Sequence, residues 1–390
     1  MEVIFTGPRS SDRQLNKKYI QKNEMKTSII LFVASILVCL PKVENLLTAS
    51  DTEGGGQKED DAVTNVIYDT DMCTDVDDVG ALAILHKLSD EGLANILAVV
   101  YNEVHKRGVA AIDAINTWYG RGDIPIGAYK KTLKDPDYSS YLAAVAKYEN
   151  DTPSDLSKVP DALDVYVNTL KAQKDNSVTI VSVGFLNNLA DLLRAEPELV
   201  ERKVKKLVVM AGVSGDNFNT VRHDLVGEAQ KVLEDWPTLV VISPIGEDIY
   251  TGVVLENVED NPVRTAYYKW FNSSFQGRSS WDLLAVLYAV KGTELFDEQS
   301  EGNGSLRNGY TYKMSKEKRI FITGKFSKSY YEALLNTYLI QPPTNTKVEN
   351  VVCDKPVDSS ADCFFDLMGR RVSTPETGLY FVNGKKVLYR

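Results

Sequence analysis

An α/β protein with an open, mostly parallel sheet and helices on both faces (a Rossmann-like layout) is the fold class this sequence predicts. Three observations carry it. Short, near-continuous apolar runs recur along the chain at Val66–Tyr68, Ile96–Tyr101, Ser177–Val183, Lys206–Ala211 and Leu239–Ser243. Segments with helical spacing of apolar residues separate them, and this alternation marks a parallel sheet buried on both sides. Polar residues cluster directly after the runs, at strand carboxyl ends, where open α/β sheets hold their ligands.

Val66, Ile67 and Tyr68 are β-formers bounded by a polar break and read as the first strand. Five aspartates follow within ten residues: Asp69, Asp71, Asp75, Asp77 and Asp78. Val79, Leu82, Ala83 and His86 then share one helical face, so a helix starts at or near Asp77 or Asp78. Ile96–Tyr101 is a second strand ending at Asn102, Val109–Tyr119 a helix, and the run from Pro125 to Ala128 a short third strand. Residues 130–160, rich in Tyr, Asp and Lys, read as loop and helix forming a lid. A helix from Pro160 leads into the Ser177–Val183 strand, and Leu186–Leu193 is again helical. The last two strands flank a helix from Leu225 to Glu234, and helices follow at 262–272 and 281–290.

The acidic loop needs a positive partner, because so many carboxylates in so short a span repel one another. A hard cation with oxygen ligands, Ca²⁺ or Mg²⁺, is the simplest remedy; a solvated acidic loop with one capping aspartate explains one carboxylate and not five. The loop is not a calcium hand, since numbering from Asp69 puts Thr74 at the glycine position and Gly80 at the closing glutamate. No Gly-x-Gly-x-x-Gly follows a strand, so a dinucleotide site is unsupported, and no repeat of 20–50 residues is present.

With 390 residues the chain can bury ample core, and its 43% hydrophobic and 25% charged residues are ordinary for a globular protein. The net charge of −10 argues against nucleic acid or an anionic membrane as partner. Residues 1–24 read as an over-long N-terminus. From Met25, a lysine followed by Ile29–Leu40 reads as a signal peptide over 25–47, too short to span a bilayer. Cys39 lies at the end of that run behind a poor lipobox. Residues 48–62 read as a flexible linker, 63–345 as the α/β domain and 346–390 as a β-rich tail. Cys353 and Cys363 could pair in an exported protein, Cys73 reads as a thiol outside any disulfide, and no spacing marks a zinc site.

Asp69-Thr-Asp71, a spacer, then Asp77-Asp78 before an Ala/Leu-rich helix resembles the opening motif of the inosine–uridine nucleoside hydrolases. The spacer here is two residues longer, and Cys73 replaces the usual glycine. Four further segments resemble that family in the right order: Asn102 at a strand end, Val183-Gly-Phe-Leu-Asn-Asn188, Asn217-Phe-Asn219 after Val209-Met-Ala-Gly212, and Trp281-Asp282. The resemblance implies a Ca²⁺-dependent N-ribosyl hydrolase acting on a small-molecule nucleoside, often as dimers or tetramers. It implies that Asp71 is metal ligand and general base, and that Asp78, Asp282 and the Val183 carbonyl complete the metal shell. It implies that Asp77 grips the 2′-hydroxyl, Asn219 the 3′-hydroxyl, and that Asn102 and Asn217 contact the sugar. Whether Asp75 takes one of these roles is open. Asn217 stands where the family has glutamate. Trp281 stands where the family has the histidine linked to protonating the departing base; it could stack on a substrate ring or simply pack. His86 reads as a packing residue; His105 and His223 lie in segments that could approach the pocket, and His223 reads either as a displaced acid or as a surface histidine.

The tail, with Phe364-Phe-Asp-Leu-Met-Gly-Arg-Arg and Gly378-Leu-Tyr-Phe-Val-Asn-Gly-Lys-Lys, resembles C-terminal sorting segments of secreted Bacteroidetes proteins. Its runs read as short strands, with Asn383-Gly384 as a hairpin turn. Export to the periplasm, cell surface or medium follows from this likeness and the leader. Two other functions fit parts of the sequence. Asp69-Thr-Asp71-Met-Cys-Thr74 after a strand resembles a phosphatase of the haloacid-dehalogenase type, with Asp69 as nucleophile and Asp71 as acid/base. A non-catalytic nucleoside- or sugar-binding protein would keep the metal site and tolerate Trp281 and Asn217.

Overall fold

Parallel pairing starts at β1 (Thr64–Thr70), where every residue from Val66 to Thr70 is buried. It pairs with β2 (Ala94–Tyr101) on one side and β4 (Val178–Ser182) on the other. The computed structural model describes residues 63–344 apart from 135–137, 213–216, 302, 307–310 and 314–317, plus four short strands between 364 and 389. The expected over-long N-terminus, signal peptide and linker, Cys39, and the Cys353–Cys363 pair lie outside these residues. Among the described residues no helix is long and apolar enough to cross a membrane.

The main sheet has eight strands. β3 (Ile126–Ala128) forms one edge, followed by β2, β1, β4, β5 (Val204–Met210) and β6 (Leu239–Ser243), then the strands Arg319–Gly324 and Phe296–Gln299. All pair in parallel except the last, which runs antiparallel along the 319–324 strand. Strand side chains alternate between faces. Val66 and Tyr68 face a core shared with α1 (Asp77–Asp90), α2 (Gly108–Trp118) and α3 (Leu142–Val145). Ile67 faces a second core built with α4 (Ala162–Ala172), α5 (Asn187–Ala195), α6 (Pro197–Lys203) and α7 (Val226–Asp235). The first core also takes in α8 (Pro262–Trp270), α9 (Trp281–Lys291) and α10 (Lys328–Ile340).

Helix α1 differs from its expected one-faced character. Residues Asp77 through Leu88 are all buried, because α1 runs between the sheet and the helices α9 and α10. That is why Val79-Gly-Ala-Leu-Ala-Ile-Leu is apolar all round, as expected of a helix with no solvent face. The 130–160 segment also departs from a lid: Tyr141, Leu142 and Val145 are fully buried in the first core. The alternation Ile320/Ile322 and the Ser327 cap of α10, whose side chain accepts from Tyr330 N–H, are signals for two elements the sequence analysis left unassigned. The domain's end is tied back by Asp90, which takes Lys87 Nζ at 2.7 Å, Arg121 at 2.6 Å and Thr344 N–H at 3.0 Å. In the tail, the backbone strands Gly378–Val382 and Lys385–Tyr389 pair antiparallel with Val382 opposite Lys385, as the hairpin reading expects.

Below the sheet, at the end away from the acidic loop, Arg319 closes α7. Its guanidinium, almost fully buried, donates to the carbonyls of Leu233 (2.6 Å), Glu234 (2.9 Å), Trp236 (2.8 Å), Thr238 (3.3 Å) and Lys318 (3.0 Å). Two of these, Leu233 and Glu234, are among the last-turn carbonyls that a helix carboxyl end leaves without partners. Arg319→Ala is therefore expected to cost about 3 kcal/mol in urea unfolding. A loss under about 0.5 kcal/mol would show that water serves those carbonyls equally well.

Candidate active site

Asp69, next to the last residue of β1, is the hub of the strand carboxyl ends. It accepts from Asn102 Nδ2 at 2.6 Å, Tyr166 Oη at 2.8 Å, Ser182 Oγ at 3.1 Å and Asn188 Nδ2 at 3.2 Å. These donors come from the ends of β2 and β4 and from α4 and α5, so one carboxylate fixes four elements. Burial pushes its pKa up to about 6, and the four donors hold it from rising further. A carboxylate so enclosed cannot reach a phosphorus atom, which removes the nucleophile that the phosphatase reading requires.

Two residues on, the chain turns outward with Asp71, and α1 opens with Asp77 and Asp78. Thr70 Oγ1 donates to Asp78 Oδ1 at 2.5 Å and accepts from Met72 N–H at 3.1 Å, which sets the turn. Tyr68 Oη donates to the Asp78 carbonyl at 3.0 Å from the strand below. Asp282, one residue into α9, meets this corner from 205 positions beyond Asp77, and its N–H reaches Asp77 Oδ2 at 3.4 Å. Carboxylate oxygens of Asp77, Asp78 and Asp282 all lie within 4.8 Å of one another, and all three residues are buried. Asp71 joins them through a hydrogen bond with Asp78. The Asp282 Oδ1 atom is buried with no hydrogen-bond partner among the described residues.

Burial is the main force on these groups, and mutual repulsion adds to it. Burial and then the charges of Asp77, Asp78 and Asp71 push Asp282 well above the usual carboxylate range. Asp77 is pushed up by burial and then by Asp75 and Asp78, against which Arg278 pulls down. Asp78 rises to about 7 through burial, opposed first by the Thr70 hydrogen bond. Oxygen donors alone, one of them orphaned, and charges that repel in a buried corner are the donor set a hard divalent cation fits.

Two glycines let the backbones close around this corner. A Cβ at Gly184 would sit 2.5 Å from Asp71 Oδ1, and one at Gly246 would sit 2.5 Å from Trp281 Cα. Gly246 also has φ +128°, a conformation that side chains disfavour. Val183, just before Gly184, is buried and donates its N–H to the Asp69 carbonyl at 2.9 Å, which sets it beside the acidic turn.

The remaining expected residues divide. Asn102 is fully buried, and its amide donates to Asp69 and, at 3.0 Å, to the Phe185 carbonyl while accepting from Phe185 N–H at 3.3 Å. It clasps the ends of β2 and β4 together. Asp75 forms a bidentate ion pair with Arg278, so it stands apart from the buried carboxylate trio. One face of Trp281 stacks on that same guanidinium, which lies 4.7 Å from the ring centroid. Asn217 begins a π-helical turn, Asn217–Val221, on which Asn219 is buried. His223, two residues past that turn, packs on Phe185 with ring centroids 4.7 Å apart, so the turn reaches the β4 end. His105 is half-buried beside a cleft of about 310 Å³ near β2 and accepts from Arg107 N–H. His86 packs as expected, stacked on Tyr119 at 4.7 Å and hydrogen-bonded to Asn116, with burial pushing its pKa down to about 3. Cys73 is a buried thiol.

Sequence reasoning missed Tyr166, Ser182 and Asn188 as partners of Asp69, and Arg278 as the partner of Asp75. The pair Asn187-Asn188 at a helix start was a usable signal. The tyrosine and the arginine carried none, because long-range pairing leaves no local pattern.

Comparison with known proteins agrees with this architecture. Residues 66–325 match the family described as inosine-uridine preferring nucleoside hydrolase. A nucleoside hydrolase structure from Bacillus anthracis superposes with TM-score 0.52 at 15% identity, covering 71% of this chain and 99% of that one. A plant nucleoside hydrolase gives 0.54 at 17%, covering 72% and 100%. A purine-preferring ribonucleoside hydrolase from Gardnerella vaginalis gives 0.53 at 15%, covering 71% and 98%. At these identities the structures share the fold. An uncharacterized protein of Schizosaccharomyces pombe is 27% identical over 148 residues, 33% of this chain, and the match spans about half of that relative (47%). With the family match running through most of the domain and every element of the sheet in place, the chain belongs to the inosine-uridine preferring nucleoside hydrolase family.

Proposed function

We propose that the protein hydrolyses the N-glycosidic bond of a ribonucleoside with Ca²⁺ as its cofactor. The observation that carries this is the convergence of Asp77 and Asp78 with Asp282 in one buried corner at the sheet's carboxyl edge. Asp71, Asp78, Asp282 and the Val183 carbonyl would hold the ion, a set of hard oxygen donors suited to the larger shell of Ca²⁺. When bound, the cation lowers the pKa of a water and neutralises the corner. Asp71, at the mouth of the turn and 7% exposed, accepts that water's proton as general base. Asp77 accepts from the 2′-hydroxyl and Asn219 bonds the 3′-hydroxyl, with Asn217 in support, orienting the anomeric carbon toward the water. Positive charge grows on the ribosyl ring as the bond to the base breaks, and the surrounding carboxylates stabilise it.

Trp281 has no proton to give from a ring stacked on Arg278, so the departing base takes its proton from water or from another group. His223 is the histidine that packs at the β4 end of this edge. The leader at 25–47 and the sorting-like tail support export, which places the substrate outside the cytoplasm.

Purified protein incubated with a nucleoside panel should release base with Ca²⁺ and none with excess chelator, and should leave a phosphate ester intact. Nucleoside binding without turnover would instead favour the non-catalytic reading. Asp71→Asn should lower kcat by about 10²- to 10⁴-fold, the range general-base removal gives; unchanged kcat would remove Asp71 from the reaction. The raised carboxyl of Asp78, at about 7, has a pH consequence. Protons and cation compete for the same oxygens, so Ca²⁺ affinity in calorimetry should rise as pH increases through 7 and fall below it. Affinity independent of pH between 5.5 and 8 would contradict the assignment.

A further inference from the structure

Asp75 and Trp281 lie far apart in sequence, yet one side chain touches both. Arg278 donates from Nε to Asp75 Oδ1 at 2.8 Å and from a terminal nitrogen to Asp75 Oδ2. Its guanidinium also lies over two indoles, 5.0 Å from the Trp270 centroid and 4.7 Å from the Trp281 centroid. Planar stacking on aromatic faces and bidentate carboxylate pairing are both arginine geometries that lysine cannot reproduce.

Each contact leads straight to the metal corner. Asp75 sits in the two-residue-longer acidic loop, just ahead of Asp77 and Asp78, and its Oδ1 also accepts from Val76 N–H at 2.7 Å. The loop is also held by Trp270 Nε1, which donates to the Thr74 carbonyl at 2.8 Å, and by Tyr141 Oη, which donates to the Asp75 carbonyl at 2.5 Å. Trp281 immediately precedes Asp282 and has Gly246 packed under its Cα. Resting on the proposed metal site, we infer that Arg278 is a positioning residue that sets the Asp77–Asp78 half of the site against the Asp282 half. The extra loop residues and the tryptophan at the histidine position then belong to one arrangement. The longer loop brings Asp75 out to the guanidinium, and Trp281 supplies the second stacking face.

Charge alone makes the opposite prediction. Removing a cation beside buried carboxylates should strengthen Ca²⁺ binding through Coulomb attraction. Losing a supporting contact that orients ligands should weaken it by about 10- to 100-fold. The double variant Asp75→Asn/Arg278→Met separates the two, because it removes one negative and one positive charge together. Two measurements on the full chain read it. Hydrogen exchange of the metal-free protein should quicken in segments 72–78 and 281–283 while β1 and β4 stay protected. Calorimetry with CaCl₂ should show affinity at least about tenfold weaker than wild type. Arg278→Lys, which keeps the charge and loses the fork, should shift both readouts in the same direction and serves alone should the double variant not fold. Wild-type exchange in both segments, or unchanged or tighter Ca²⁺ binding, overturns the inference. If wild-type protein binds no Ca²⁺, the functional reading fails, and the exchange result by itself decides the role of Arg278.

Discussion

Repulsion among buried carboxylates is the constraint around which this molecule is arranged. Carboxylate oxygens of Asp77, Asp78 and Asp282 lie within 4.8 Å of one another in a buried corner, with Asp71 hydrogen-bonded to Asp78. Bringing such charges together is costly unless protons or a cation neutralise them. A fold that tolerates this must hold the groups by forces unrelated to the groups themselves. Here those forces are the burial of α1 on all sides, the stacking of α9 against it, and the parallel sheet that aims β1 and β4 at the same edge.

Two carboxylates from one short motif serve as struts. Asp69 is saturated by four donors and fastens β1 to β2, β4, α4 and α5; Asp75 is paired with Arg278 and fastens the loop to the residues before α9. The division is physical. Carboxylates that have neutral donors or a fixed cation can stay ionised as part of the scaffold, whereas those left facing each other need an exchangeable partner. Gly184 and Gly246 mark where the backbone must approach for that arrangement to close.

The sheet was legible because β1, β2, β4, β5 and β6 are each a short run of buried apolar residues, and a parallel sheet covered on both faces reads that way. The position of the acidic loop followed from the same pattern, and the family likeness of Asp71, Asp77, Asp78 and Asp282 followed from their order along the chain. What the sequence concealed is pairing across distance. Asn102 carried a likeness to a sugar-binding asparagine, but nothing in the local pattern marked its amide's bonds to Asp69 and Phe185. Nothing near Trp281 in sequence marked the guanidinium of Arg278 that lies on one face of its ring. The stretch from 130 to 160 looked like a lid for its Tyr, Asp and Lys, although Tyr141, Leu142 and Val145 are core. Local pattern reports which face a residue takes and says little about which distant partner meets it.

The central claim is that one divalent ion joins the acidic turn after β1 to Asp282 at the start of α9. Crystals grown with Mn²⁺ as a Ca²⁺ surrogate, measured for anomalous scattering, test it most directly. The account predicts a single strong anomalous peak bounded by carboxylate oxygens of Asp71, Asp78 and Asp282 and the carbonyl of Val183. A map with no peak in that corner, or with its strongest peak elsewhere on the protein, would contradict it.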